Sequence, residues 1–145
     1  MINIGEKILL TLWVGGLWFA GYVVAPVLFQ VLDRQTAGMV AGQIFTVTSY
    51  IGIVCCSLLL LSLLFSSTAK LKNYRIWVLA VMLLLVLAGQ FILTPMMTEL
   101  KQAGLSSAEA ATSFARLHGI SSSLFLLNSI LGLVLVIFGL RSVKH

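Results

Sequence analysis

The stretch ILLTLWVGGLWFAGYVVAPVLF, Ile8 to Phe29, contains no charged side chain and is long enough to cross a hydrocarbon slab of about 30 Å as a helix. Three further runs share this property: Ile44 to Phe65, Ile76 to Leu93 and Ile120 to Leu140. In lipid every backbone N–H and C=O has to be satisfied within the chain, and helices achieve this segment by segment. The sequence therefore predicts an all-α integral membrane protein. Residues 1–145 are expected to form a single four-helix, four-span transmembrane domain, with spans at about 8–29, 44–65, 76–93 and 120–140.

The chain is 60% hydrophobic and 9% charged, with a mean hydropathy of +1.11. A soluble domain of this length has no core large enough to hide so much apolar surface, so the lipid bilayer is the expected solvent and partner. The net charge of +5 does not argue for a nucleic-acid partner, because the basic residues flank the apolar runs instead of forming one face. Cys55 and Cys56 adjoin within the second run. That spacing offers neither a CxxC redox pair nor a zinc knuckle, and they read as buried, inert thiols. The first run is longer than the core of a secretory signal, and Tyr22 to Pro26 lacks a small-x-small cleavage pattern, so it is expected to stay attached.

Charge distribution sets the expected orientation. Lys7 precedes the first run, Lys70, Lys72 and Arg75 crowd the link between the second and third, and Arg141 and Lys144 follow the fourth. The opposite loops carry Arg34, Lys101 and Arg116, offset by Asp33, Glu99 and Glu109. This asymmetry places both termini in the cytoplasm, with a bacterial inner (plasma) membrane as the expected location. Trp13 and Trp77 are then expected at the cytoplasmic interface, rings buried and N–H groups wet.

Helices 2 and 4 are expected to begin before their apolar runs, at about residues 34 and 107. Asp33 or Thr36 suits the cap of the former, and Ser106 with Glu109 reads as a capping box for the latter. A helix from Ser107 to Leu140 is about 50 Å long, so it projects outward or bends, with Gly119 as the natural bend. Sliding the chain by 69 positions sets Pro26 on Pro95, Ala41 on Ala110, Phe45 on Phe114 and Leu64 on Leu133, the pattern of a weak internal duplication. Gly38, Gly42, Phe45, Ser49, Gly52 and Cys56 recur at helical spacing on helix 2, and the shift carries them to a line on helix 4 that includes Phe114, His118 and Ser121. Small residues let helices approach closely in lipid. Gly38, Gly42, Phe45, Ser49, Gly52 and Phe114 are therefore the candidate helix-packing residues, within a pair of parallel helical hairpins or between copies in a homo-oligomer.

Polar side chains are concentrated toward the exterior. His118 heads a line with Ser121 and Ser122 that runs into the fourth span. Two readings stay open: a hydrogen bond that fixes helix packing, or a ligand, proton or substrate contact. Met96 and Met97 follow Pro95; they read either as ordinary gap-fillers in apolar packing or, two thioethers with His118, as a candidate metal set suited to Cu(I), or to haem through a histidine–methionine pair. Gln90 and Asn128 are expected to make cross-helix hydrogen bonds, with substrate contact as the alternative. Asp33, Arg34, Glu99, Glu109 and Arg116 form either a solvated rim or a gate, which adds Arg34 and Arg116 to the candidate pathway residues.

Three stretches carry a family resemblance: Trp13 to Phe29 (WVGGLWFAGYVVAPVLF), Leu32 to Phe45 (LDRQTAGMVAGQIF) and Phe114 to Asn128 (FARLHGISSSLFLLN). They resemble the small four-helix membrane family of unknown function that includes animal transmembrane protein 205. The spacing of Arg34, Gly38 and Phe45 and the string from Leu117 to Ser122 are its most specific pieces. More distantly, the four-span plan with an outer histidine is similar to copper-resistance protein D and to the HemJ type of haem-synthesis oxidase. This chain has a single histidine within its spans, so a bis-histidine site does not carry over. The resemblance implies transport or trafficking without a substrate. The expected function is handling or transport of a small molecule or metal through a site in the outer half. A non-catalytic membrane assembly protein is the alternative, and a haem- or metal-binding redox protein the second.

Overall fold

The computed structural model describes residues 4–65, 74–104 and 107–140, with side chains through residue 138. Four long helices account for nearly all of it: α1 (Ile4–Val31), α2 (Arg34–Leu64), α3 (Tyr74–Ala103) and α4 (Ala108–Leu140). No strand occurs among the described residues. Between 22% and 33% of each helix's apolar window is buried within the chain. The rest, including Leu12, Phe19, Val54, Leu84, Phe91 and Ile130, faces outward and has to meet lipid. The protein is an integral membrane four-helix bundle.

Each helix packs against two others, α1 on α2, α2 on α3, α3 on α4, and α4 back on α1, closing a ring. The helix ends at Ile4, Leu64, Tyr74 and Leu140 lie at one end of the bundle, called here the terminal end, and those at Val31, Arg34, Ala103 and Ala108 lie at the other, the turn end. Lys70, Lys72, Arg141 and Lys144, on which the expected orientation rests, lie outside the described residues.

Local chemistry explains where helices stop. The Asp33 carboxylate accepts the Thr36 N–H at 2.9 Å, and of the two candidate caps for α2 it is the one used. The hydrogen bonds from Thr36 hold its carboxyl below the ordinary value. Gly104 ends α3 at φ 89°, a conformation that favours glycine. Ser107 Oγ accepts the Ala110 N–H at 3.1 Å, so the α4 cap is this serine, one position after the expected Ser106, which lies outside the described residues.

Two departures from α geometry give the bundle its shape. A π turn spans Ala20–Val24 just before Pro26, and another spans Gly89–Leu93 just before Pro95. Proline lacks an N–H, and its ring collides with the carbonyl four residues back; the extra residue of a π turn opens that space. Thr94 Oγ1 adds a bond to the Gly89 carbonyl at 2.9 Å. The two turns superimpose under the 69-position shift that aligns the prolines, and the shift also carries buried Leu10 to Leu79 and Trp13 to Met82. These coincidences strengthen the duplication that the sequence showed only faintly. Across Gly119, the expected bend, α4 remains α-helical.

The core fills the terminal half. Trp13, Cys56, Leu79, Met82, Leu135 and Ser129 are its most completely buried side chains. Trp13 is 1% exposed, which corrects its expected place at a wet interface. The reason is Gly52: the space its missing side chain leaves is taken by the Trp13 indole. Gly132 accommodates Val14 and Met82 in the same way, since a Cβ there would lie 3.0 Å from Val14 Cγ2 and 3.3 Å from Met82 Cε.

Candidate functional site

The π turn of α1 brings α1 and α4 together at mid-height. Gly21, inside that turn, leaves room for the Phe125 ring. Phe125 sits edge-on to Phe45 at 5.2 Å and tilted against Tyr22 at 6.0 Å, and Tyr22 contacts Trp18 at 4.9 Å. Trp18 Nε1 donates to the Ser129 carbonyl at 3.3 Å, while Ser129 Oγ turns back to the Phe125 carbonyl at 2.9 Å. Four rings from three helices thus cover the level at which the terminal-half core ends.

Asn128 lies at that level. Leu135 and Gly132 share its helical face, and Gly132 touches Val14 of α1 and Met82 of α3, so this face looks into the bundle. Asn128 is 4% exposed, and its Oδ1 has no hydrogen-bond partner among the described residues. The expected cross-helix bond to that oxygen is not made. Cross-helix bonds are made elsewhere, by Trp18, by Cys56 Sγ to the Leu79 carbonyl at 3.2 Å, and by Ser62 Oγ to Glu6 Oε1 at 2.8 Å.

Toward the turn end, side chains are more open. His118 is exposed, and its ring stacks on Phe114 at 6.1 Å with a 10° interplanar angle. Lys101 Nζ sits 5.4 Å from the centroid of the same Phe114 ring, tying the end of α3 to α4. Ser121 is half-buried and Ser122 exposed, one and two positions past Ile120. Gln90 is half-buried within the second π turn. Arg34 and Arg116 are exposed, as are Asp33, Glu99 and Glu109. Met96 is exposed and Met97 half-buried on the segment beyond Pro95. Among the described residues no three His, Cys, Asp or Glu side chains converge to hold a metal ion. The donors left for copper or haem are the exposed His118 and the two methionines, and the histidine ring is engaged by Phe114.

The helix-packing candidates divide by level. Gly52 and Phe45 meet partners, Trp13 and Phe125 respectively, and Ser49 between them is half-buried. A Cβ on Gly38 or Gly42 would meet nothing within 4 Å. At their level of α2 it is Ala37 and Ala41 that are buried.

Glu6 escaped the sequence reading. It is 9% exposed and bound by Ser62. The signal was present: Glu6, Leu10, Trp13 and Leu17 fall at helical spacing, all four are buried, and the charged member opens the stripe.

A family model described as "Domain of unknown function (DUF4149)" matches residues 8–106. The chain belongs to the DUF4149 family. The match covers most of α1 to α3 and ends before α4, so it does not reach Phe114, His118 or Asn128 of this DUF4149 protein. No curated protein and no solved structure matches the chain. The family assignment agrees with the coarse resemblance to an unknown-function membrane family and names no chemistry.

Proposed function

We propose that this membrane protein handles a small molecule through a site in its turn-end half, reached from that end or from the adjoining lipid. One observation carries the reading. The bundle core is filled at the terminal end only, and where it stops a buried carboxamide, Asn128, presents an oxygen without a partner. Beyond that level the buried residues are small or few, Ala37, Ala41 and Leu93, while Gln90, His118, Ser121 and Ser122 stand on the surrounding helices. Polar groups in a span are expensive to keep and commonly mark a pathway or a site. The positive-inside distribution supports the turn end as the outer face, and fits the expected inner (plasma) membrane. The likeness to the transmembrane protein 205 family fits transport or trafficking.

A second reading has its own observation. Gly38 and Gly42 leave an open strip on α2, and small residues in lipid favour helix contacts between copies, which supports a homo-oligomer or an assembly role. The two readings separate experimentally. Untargeted mass spectrometry of metals, lipids and metabolites held by the full chain in nanodiscs is expected to find one small molecule at near-stoichiometric amounts. No retained compound, together with an oligomer that Gly42→Leu dissociates in native mass spectrometry, favours assembly. A Soret band or stoichiometric copper instead returns the redox or metal reading.

A further inference from the structure

We infer that Asn128 is a ligand-binding residue, and that the ligand class is a neutral amphiphile whose hydroxyl or amide N–H donates to Asn128 Oδ1 while its apolar body lies toward the turn end. This deepens the proposed function and rests on it.

Three observations carry it. The first is the unpaired oxygen itself: a carboxamide 4% exposed, on a helix face directed into the bundle, with Oδ1 unpartnered among the described residues. A buried acceptor of this kind destabilises the fold unless something donates to it.

The second comes from the duplication. Under the 69-position shift Asn128 corresponds to Leu59, which is 2% exposed within the apolar core. Leucine and asparagine are close in size, so the fold has an apolar solution at this position and uses it in the first half. Polarity at 128 is therefore surplus to helix packing, and its presence despite an unmade hydrogen bond points to a ligand.

The third observation fixes the ligand's charge and shape. The four acidic side chains lie elsewhere: Glu6 is at the terminal end, bound by Ser62, and Asp33, Glu99 and Glu109 are exposed at the turn end. An ammonium or a bare metal ion beside Asn128 would have no counter-charge in a low-dielectric setting. A neutral donor needs none. On the turn side, one turn back along α4, stand the half-buried Phe125 and Phe45, with Tyr22 and Trp18 exposed beside them toward lipid, rings suited to the flank of an alkyl or isoprenoid chain. On the terminal side Gly132, Val14 and Met82 close the bundle, so the body cannot extend that way.

The test uses the full chain in phosphatidylcholine vesicles and a diazirine-bearing hexadecanol as probe, with labelled peptides read by mass spectrometry. The expected result is saturable labelling of residues 114–129, competed by excess hexadecanol and not by methyl hexadecyl ether, which keeps the chain but cannot donate. Asn128→Leu is expected to reduce the saturable component about tenfold with helicity unchanged, and Asn128→Ala to do the same, which guards against misfolding of either variant. Equal competition by the ether, or labelling unchanged in both variants, overturns the inference. If labelling of 114–129 is saturable but indifferent to Asn128, the turn-end site stands and this assignment falls. If no saturable labelling occurs and the nanodisc inventory is also empty, both fall.

Discussion

The Trp13 indole occupies the space that a side chain at Gly52 would need, locking α1 to α2 in the middle of the bundle core. A tryptophan that charge distribution assigns to an interface is instead the most completely covered aromatic ring in the protein, because the facing helix offers a glycine. This contact separates a glycine that seats a neighbouring helix from those, Gly38 and Gly42, that seat none within the chain.

Gly52→Ala forces the indole to move within a filled core and is expected to destabilise the bundle by about 1–3 kcal/mol. Gly42→Ala, at a position open to 4 Å, is expected to be neutral or stabilising by up to about 1 kcal/mol through the helix preference for alanine. Unfolding of both variants in the same detergent checks this; equal losses would mean the Trp13 contact is not the locking one.

Ser62 and Glu6 join α2 to α1 at the terminal end through a 2.8 Å hydrogen bond. A double-mutant cycle with Ser62→Ala and Glu6→Ala is expected to return a coupling of about 0.6–2 kcal/mol, the range for interhelical bonds in membranes. Strict additivity would show that the two side chains do not interact in the bilayer.

Asp33 caps α2 with its carboxylate. Its pKa is depressed by the Thr36 hydrogen bonds, so its contribution is fully present above the ordinary value of 3.8 and fades as pH falls through the lower folded value. Asp33→Ala is expected to melt below the wild type at pH 7, with the gap narrowing under acid. A gap that widens on acidification would reverse the sign and refute the cap.

His118 is exposed and stacked on Phe114, so His118→Ala is expected to change stability by no more than about 0.5 kcal/mol. Any loss of transport or binding in that variant then reports on function. A large drop in melting temperature would show instead that the ring carries packing.

Sequence made the four helices legible because charge-free runs of spanning length have few alternative fates in a chain with so few polar residues. The 69-residue separation of the prolines is visible in the sequence, but the paired π turns that precede them are not, because no periodicity specifies one extra residue in a helical turn. Trp13 was misplaced because loop charges locate helix ends but say nothing about which face of a helix meets a glycine. Glu6 was overlooked because a carboxylate at a span's edge resembles an anchoring charge until the core stripe below it is traced. For the site, the line of His118, Ser121 and Ser122 is legible in the sequence as polar residues at the mouth of an apolar span. Asn128 gained weight only when its burial, its unpartnered oxygen and its correspondence with Leu59 were seen together, and none of these is readable from residue type.

The most direct measurement compares wild type with Asn128→Leu in nanodiscs, recording melting temperature and retained small molecules on the same samples. With an unpaired polar group replaced by the apolar solution its counterpart already uses, the variant is expected to gain about 1–2 kcal/mol of stability over wild type stripped of the molecule, and to lose the molecule the unstripped wild type retains. A variant that melts lower yet keeps the molecule would show that Asn128 serves the fold and that the ligand site lies elsewhere.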